Sequence, residues 1–176
     1  ISANRLLSSC STAVIEVSRG TPALMLIFWI YFLLPKLTGH AVSSYTAALS
    51  SLILFNAAYI AEIIRAGISS VPRGLVEAGM SSGIRHYQIM RHIVLPPAIA
   101  NMLPALTSQM ILAYKTTSLV FVVGVIDLFR AANIINNREF KSVEIYLFVA
   151  LVYFIPCFIL SLISRHLATK KKNAMR

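Results

Sequence analysis

Glu62 and Lys115 are ionisable side chains set inside long apolar stretches. A charge there costs at least about 2.5 kcal/mol unless it faces protein or water, so both are expected to face the interior of a bundle. Glu62 stands one turn from Arg65 and reads as its ion-pair partner near the edge of an apolar segment. Lys115 is followed by Thr116, Thr117 and Ser118, and a cation beside hydroxyls suits a passing carboxylate; the other reading is a lysine that snorkels to an interface. Asn56, Asn101 and Gln109 are weaker candidates for the same polar path. A second carboxylate, Glu77, belongs to a polar connector that reads Glu77-Ala78-Gly79, then Gly83, then Ile93-Val94-Leu95-Pro96.

Local physical chemistry predicts a helix-turn-helix for that connector. Ser70 is positioned to cap a first helix with Pro72 in its early turn, and Leu75, Val76 and Met80 are spaced as one apolar face. Gly79 and Gly83 weaken that helix and permit a turn. A second short helix is expected over 85–93, which Pro96-Pro97 would stop or redirect. Such an element suits docking on a soluble partner, although an amphipathic connector lying in the lipid interface has the same pattern. Glu77, in the first turns, would favour the positive end of the helix dipole and could pair with a basic partner residue; a cap with no partner contact is the alternative. Arg73, Arg85 and Arg91 read as solvated or lipid-facing charges with at most a weak docking role.

The surrounding elements must be membrane spans. Of the 176 residues, 57% are hydrophobic and only 12% charged, and the mean hydropathy is +0.75, which excludes an ordinary soluble domain. A net charge of +10 would suit nucleic acid, but the basic residues lie in connectors and tail between apolar segments, so nucleic acid is not an expected partner. Spans are predicted near 22–37, 44–64, 98–113 with a further apolar run over 118–126, and 143–163, four in all. Arg5 and Arg19, then Arg65, Arg73, Arg85 and Arg91, then Arg165, Lys170, Lys171, Lys172 and Arg176 fall on one side of that arrangement, which is therefore cytoplasmic. Lys36 and the charge-balanced stretch 127–144 fall on the other. Cys10 and Cys157 are far apart and suggest neither disulfide nor metal, and the chain begins with a Ser-rich stretch rather than a removable signal peptide.

No phosphate loop is present, so the chain is not expected to bind or hydrolyse ATP. His40, His86, His92 and His166 show no ligand-like clustering, and neither a Gly-x-Ser-x-Gly elbow nor a His-Glu-x-x-His helix occurs. A hydrolytic enzyme, a metal or another cofactor is not expected.

The spacing from Glu77 to Pro96 resembles the cytoplasmic loop signature of ABC importer permeases, Glu-Ala-Ala, three residues, Gly, nine residues, Ile-x-Leu-Pro, with Gly79 in place of the second Ala. Arg19-Gly20-Thr21-Pro22, Tyr31-Phe32 with Pro35, the stretch 58–74 and Lys115-Thr116-Thr117-Ser118-Leu119 resemble further segments of the polar amino acid subfamily. Leu75 and Val76 depart from its usual Gln and variable residue, and Thr116 replaces its Asp. The order of these matches covers nearly the whole chain. From Ser118 onward the pattern is most similar to permeases for glutamate and aspartate.

The resemblance implies an all-α polytopic membrane bundle of the type I ABC importer permease kind, in a bacterial inner membrane, with the family's first span missing from this chain. Residues 1–176 would form one permease domain and 66–97 its cytoplasmic coupling loop. Glu77, Ala78, Gly79, Gly83, Ile93, Leu95 and Pro96 would couple it to an ATP-binding cassette subunit. Lys115, Thr117, Ser118 and Asn56 are the candidates for the translocation path. A periplasmic substrate-binding protein would deliver the amino acid, and a second permease subunit, identical or related, would complete the pathway within the lipid. The competing reading is an ATP-independent secondary transporter or channel, which predicts inverted repeats that the sequence does not show. A membrane scaffold whose loop only recruits a soluble partner is a further alternative.

Overall fold

The computed structural model describes residues 5–174, with side-chain surroundings described over 8–164. The flanking charges of Arg5, Arg165, Lys170, Lys171, Lys172 and Arg176, on which part of the expected orientation rests, fall outside the described side chains, as does His166. Among the described residues the structure is helical throughout. Helix α1 spans Arg5–Gly20, α2 Ala23–Thr38, α3 Ser44–Ser69, α4 Arg73–Ser81, α5 His86–Val123, α6 Leu128–Glu139 and α7 Ser142–Ala174.

Among the described residues three helices are long and apolar enough to cross a membrane: Ser44–Ser69, His86–Val123 and Ser142–Ser164. The expected first span maps onto α2, which meets that description only together with α1, as a pair bent by 109°. The bend falls at Gly20-Thr21-Pro22, where proline supplies no backbone donor to continue the ladder. Four crossing segments are thus reached only if the bent pair counts as one.

Prolines shape α2 and α5 without ending them. Pro96 and Pro97 do not stop or redirect the chain as expected; α5 runs through them as a 38-residue rod. The reason lies just upstream, in a π-helical segment over Ile89–Val94, and α2 repeats the arrangement with Trp29–Leu33 before Pro35. Widening the turn takes up the carbonyl that a proline ring would strike four residues back. The expected short helix over 85–93 is instead one α-turn, His86–Gln88, leading into that segment.

Capping fixes other boundaries. Ser43 Oγ accepts from the Thr46 amide at 3.1 Å at the start of α3, and Asp127 Oδ1 accepts from the Arg130 amide at 2.8 Å at the start of α6. The 3₁₀ turn Thr117–Val123 closes α5, and Gly124 leaves it with φ +89°.

Helix α3 packs along α5, with α1 and α2 on its other flank; α7 lies on α5, and α6 on α7. Two apolar clusters hold this arrangement. Ile27, Ala48, Val120 and Val123 join α2, α3 and the end of α5. Val71, Ile89, Val94, Ala98 and Met102 form the other, beneath α4.

Candidate functional site: coupling element and transmembrane cavity

Helix α4 is a short outrigger fastened to the base of α5. Val76, Met90 and Ile93 pack onto the cluster of Val71, Ile89 and Val94. Gly79 is buried at the closest point, where an added Cβ would meet Ile89 Cγ1 and Ile93 Cδ1, each at 3.1 Å. The glycine therefore brings α4 hard against α5 rather than loosening the helix. Gly83 ends it: φ is +72°, its amide donates to Met80 O at 2.9 Å, and the Ile84 amide donates to Gly79 O at 3.2 Å. That paired pattern is a Schellman motif, and it requires a left-handed residue at the Gly83 position. Ser81 and Ser82 hydroxyls donate back to the carbonyls of Glu77 and Ala78.

Three local expectations are corrected. Ser70 closes α3 instead of capping α4: its hydroxyl donates to Gly67 O at 2.7 Å and accepts from Asn101 Nδ2 at 2.9 Å. Pro72 holds the cap position of α4 with no side-chain cap. Glu77 lies in the second turn of α4, past the first-turn amides, so the dipole at the helix start acts little on it. The predicted apolar face also divides, since Val76 packs inward while Leu75 and Met80 are exposed. What remains outward is a ridge of Leu75, Glu77, Ala78 and Met80 beside exposed Arg73, Arg85 and Tyr87. Arg91 Nη1 donates to the Tyr87 hydroxyl at 3.3 Å. Ile93 belongs to the packed side, and Leu95 and Pro96 open the regular α-helical part of α5.

Farther along α5, Lys115 and Ser118 line a cavity of about 440 Å³ between α5, α6 and α7. Phe129, Tyr146, Tyr153 and Phe154 form much of its wall, with buried Cys157 at its margin. The remaining path candidates do not gather there. Thr117 is exposed and its hydroxyl donates to Tyr114 O at 2.7 Å. Asn56 accepts from Gln109 Nε2 at 2.9 Å and donates to Leu52 O at 2.8 Å, a polar clasp between α3 and α5. The aromatic wall is not singled out from sequence as a site; its rings fall in the stretch after Ser118 whose pattern resembles glutamate and aspartate permeases.

Glu62 does pair with Arg65, accepting from Nε at 2.8 Å, and also lies 3.7 Å from Arg19 Nη1.

Over residues 1–173 the chain matches the family described as binding-protein-dependent transport system inner membrane component. It is 38% identical over 159 residues to the glutamine transport system permease protein GlnP of Escherichia coli strain K12, covering 90% of this chain and 73% of that protein. It is 36% identical over 169 residues to the glutamate/aspartate import permease protein GltK of Escherichia coli O157:H7, covering 92% and 75%. A crystal structure of an amino acid ABC transporter with histidines superposes with a TM-score of 0.87 at 36% identity, covering 96% of this chain and 78% of that one. The MetNI methionine ABC transporter in an inward-facing form shares the fold at a TM-score of 0.70 and 22% identity.

Proposed function

Because the chain belongs to the family of binding-protein-dependent transport system inner membrane components, we propose that its α4 ridge takes the thrust of a partner ATPase and its α5–α7 cavity carries the substrate. The protein is a permease subunit of an amino acid ABC importer, a multi-pass inner-membrane protein, and not an ATP-independent transporter or channel. ATP hydrolysis falls to an ATP-binding cassette subunit, delivery to a periplasmic binding protein, and the other half of the pathway to a second permease subunit.

The observation that carries the coupling role is the packing of α4. An element that transmits force must not deform, and α4 is locked by the Gly79 contact, the Gly83 turn and a buried cluster shared with α5. Its free ridge places an exposed carboxylate between Leu75 and Met80, apt for entering a partner groove with one charge-assisted contact. Ala78 lies on that ridge; Gly79, Gly83 and Ile93 hold it, and Leu95 and Pro96 join it to the span.

For the substrate, Lys115 and Ser118 offer a cation and a hydroxyl to a carboxylate, and the ring-lined wall offers an apolar surface to the rest of an amino acid. GlnP and GltK handle glutamine and glutamate or aspartate by their names, and a lysine in the cavity supports glutamate or aspartate here. Asn56 acts on this path by holding α3 to α5 through Gln109, and Thr117 by bonding back within α5 to Tyr114 O.

Reconstitution of the full-length protein with its ATPase and binding protein tests the reading. Glu77→Ala is expected to weaken ATPase association about tenfold, the usual effect of removing one charge-assisted contact, and to lower uptake in step. Uptake without the ATPase, or unchanged assembly and uptake in Glu77→Ala, overturns it.

A further inference from the structure

The end of α1 is clamped onto α3. The Tyr59 hydroxyl donates to the Arg19 carbonyl at 3.3 Å, and the Arg19 guanidinium stands 5.5 Å from the centre of the Tyr59 ring. Glu62 accepts its strong hydrogen bonds from Arg65. Its 3.7 Å separation from Arg19 is an electrostatic contact beyond hydrogen-bond reach. Among the described residues no acceptor takes the Arg19 guanidinium donors. Two arginines share one carboxylate, so the cluster carries one uncompensated positive charge.

The Arg19 side chain faces a cavity. Arg19 and Glu62 line a space of about 370 Å³ between α3 and α5, which extends past Ser70 and Asn101 toward the α4 end of the bundle. A planar guanidinium whose donors are not taken up by its neighbouring carboxylate, facing a partly enclosed space, is suited to a carboxylate or phosphate oxygen pair. The cavity is separate from the one lined by Lys115 and Ser118.

We infer that Arg19 forms an oxyanion subsite on the cytoplasmic side, filled by the carboxylate of an amino acid leaving the pathway or by the phosphate of an anionic lipid headgroup. The placement on the cytoplasmic side rests on the importer reading; binding of the oxyanion does not.

Binding is read first on the purified full-length protein in detergent, as the rise in thermal unfolding midpoint with added glutamate or inorganic phosphate. Arg19→Gln should need about tenfold more ligand for the same rise, as for one lost charge-assisted hydrogen bond. Glu62→Gln, which removes the internal carboxylate, should need less. Proteoliposomes holding the complete importer then separate the sources. If the occupant is substrate, glutamate loaded in the lumen slows uptake by the wild type and slows Arg19→Gln far less. If it is lipid, adding phosphatidylglycerol to phosphatidylcholine changes wild-type ATP hydrolysis and leaves Arg19→Gln flat. Equal responses of wild type and both variants in the binding measurement overturn the subsite even where uptake proceeds normally; a failure of uptake with binding intact counts against the importer reading instead.

Discussion

The proposed coupling element and the Lys115 cavity are built on opposite principles. Beneath α4 the packing is so close that a single methyl group at Gly79 would press on two isoleucines. Around Lys115, three helices leave about 440 Å³ open, walled by rings. A filled interior passes on a push because it cannot compress. A solute route must stay unfilled, and its specificity then hangs on a few polar groups. Damage should follow the same division: in the cavity it should strike substrate handling, and beneath α4 it should strike stability and coupling.

Lys115→Gln should give the largest effect of that kind. Losing the Lys115 cation from the cavity wall is expected to lower the apparent kcat/KM for uptake about tenfold or more, the scale of a charged hydrogen bond, while ATPase binding stays unchanged. Lys115→Arg should retain most of the activity. Uptake indifferent to both changes would place the substrate route elsewhere and dissolve the contrast.

Gly83→Ala tests the other side with a smaller expected cost. A side chain in the left-handed region costs about 1–2 kcal/mol, here at φ +72° with open space around the position. The exposed Gly74 supplies the control, because it sits inside α4 with nothing within 4 Å and no positive φ; there an alanine should stabilise the helix by up to about 1 kcal/mol. Chemical unfolding in detergent distinguishes the pair. If the two substitutions act alike, the turn does not depend on its left-handed residue.

The contrast also explains what could be read from the sequence. The α4 turn and its flanks are contiguous, and Glu62 and Arg65 are one helical turn apart, so their short-range spacing carried the information. Ser70 was misplaced because a serine near a helix boundary can close one helix or open the next, and here Asn101, distant in sequence, helps decide between them. Pro96-Pro97 looked like a stop because the relief of their clash lies in backbone winding, which leaves no mark in residue type. Nor does local pattern join Lys115 to Tyr146 and Tyr153, or Asn56 to Gln109, since those neighbours meet only when separate helices pack. The transport family was legible all the same, because its motifs are local.

The finest test concerns Gly79, where the family pattern has alanine. In isolation a glycine within a helix costs about 1 kcal/mol relative to alanine, so Gly79→Ala should gain that much from the backbone. The new methyl, however, would stand 3.1 Å from Ile93 Cδ1 and 3.1 Å from Ile89 Cγ1, which requires both side chains to give. Crowding of this kind offsets a gain of that size, and the single change is expected to leave stability within about 1 kcal/mol of wild type. Ile93→Val removes the Cδ1 atom and opens one side of the contact. Gly79→Ala should therefore be more favourable in the Ile93→Val background than alone, with a coupling of about 0.5–1 kcal/mol for residues in contact. Strict additivity in that double-mutant cycle would mean that α4 does not ride on Ile93, and that the glycine departs from the family pattern for a reason other than close approach.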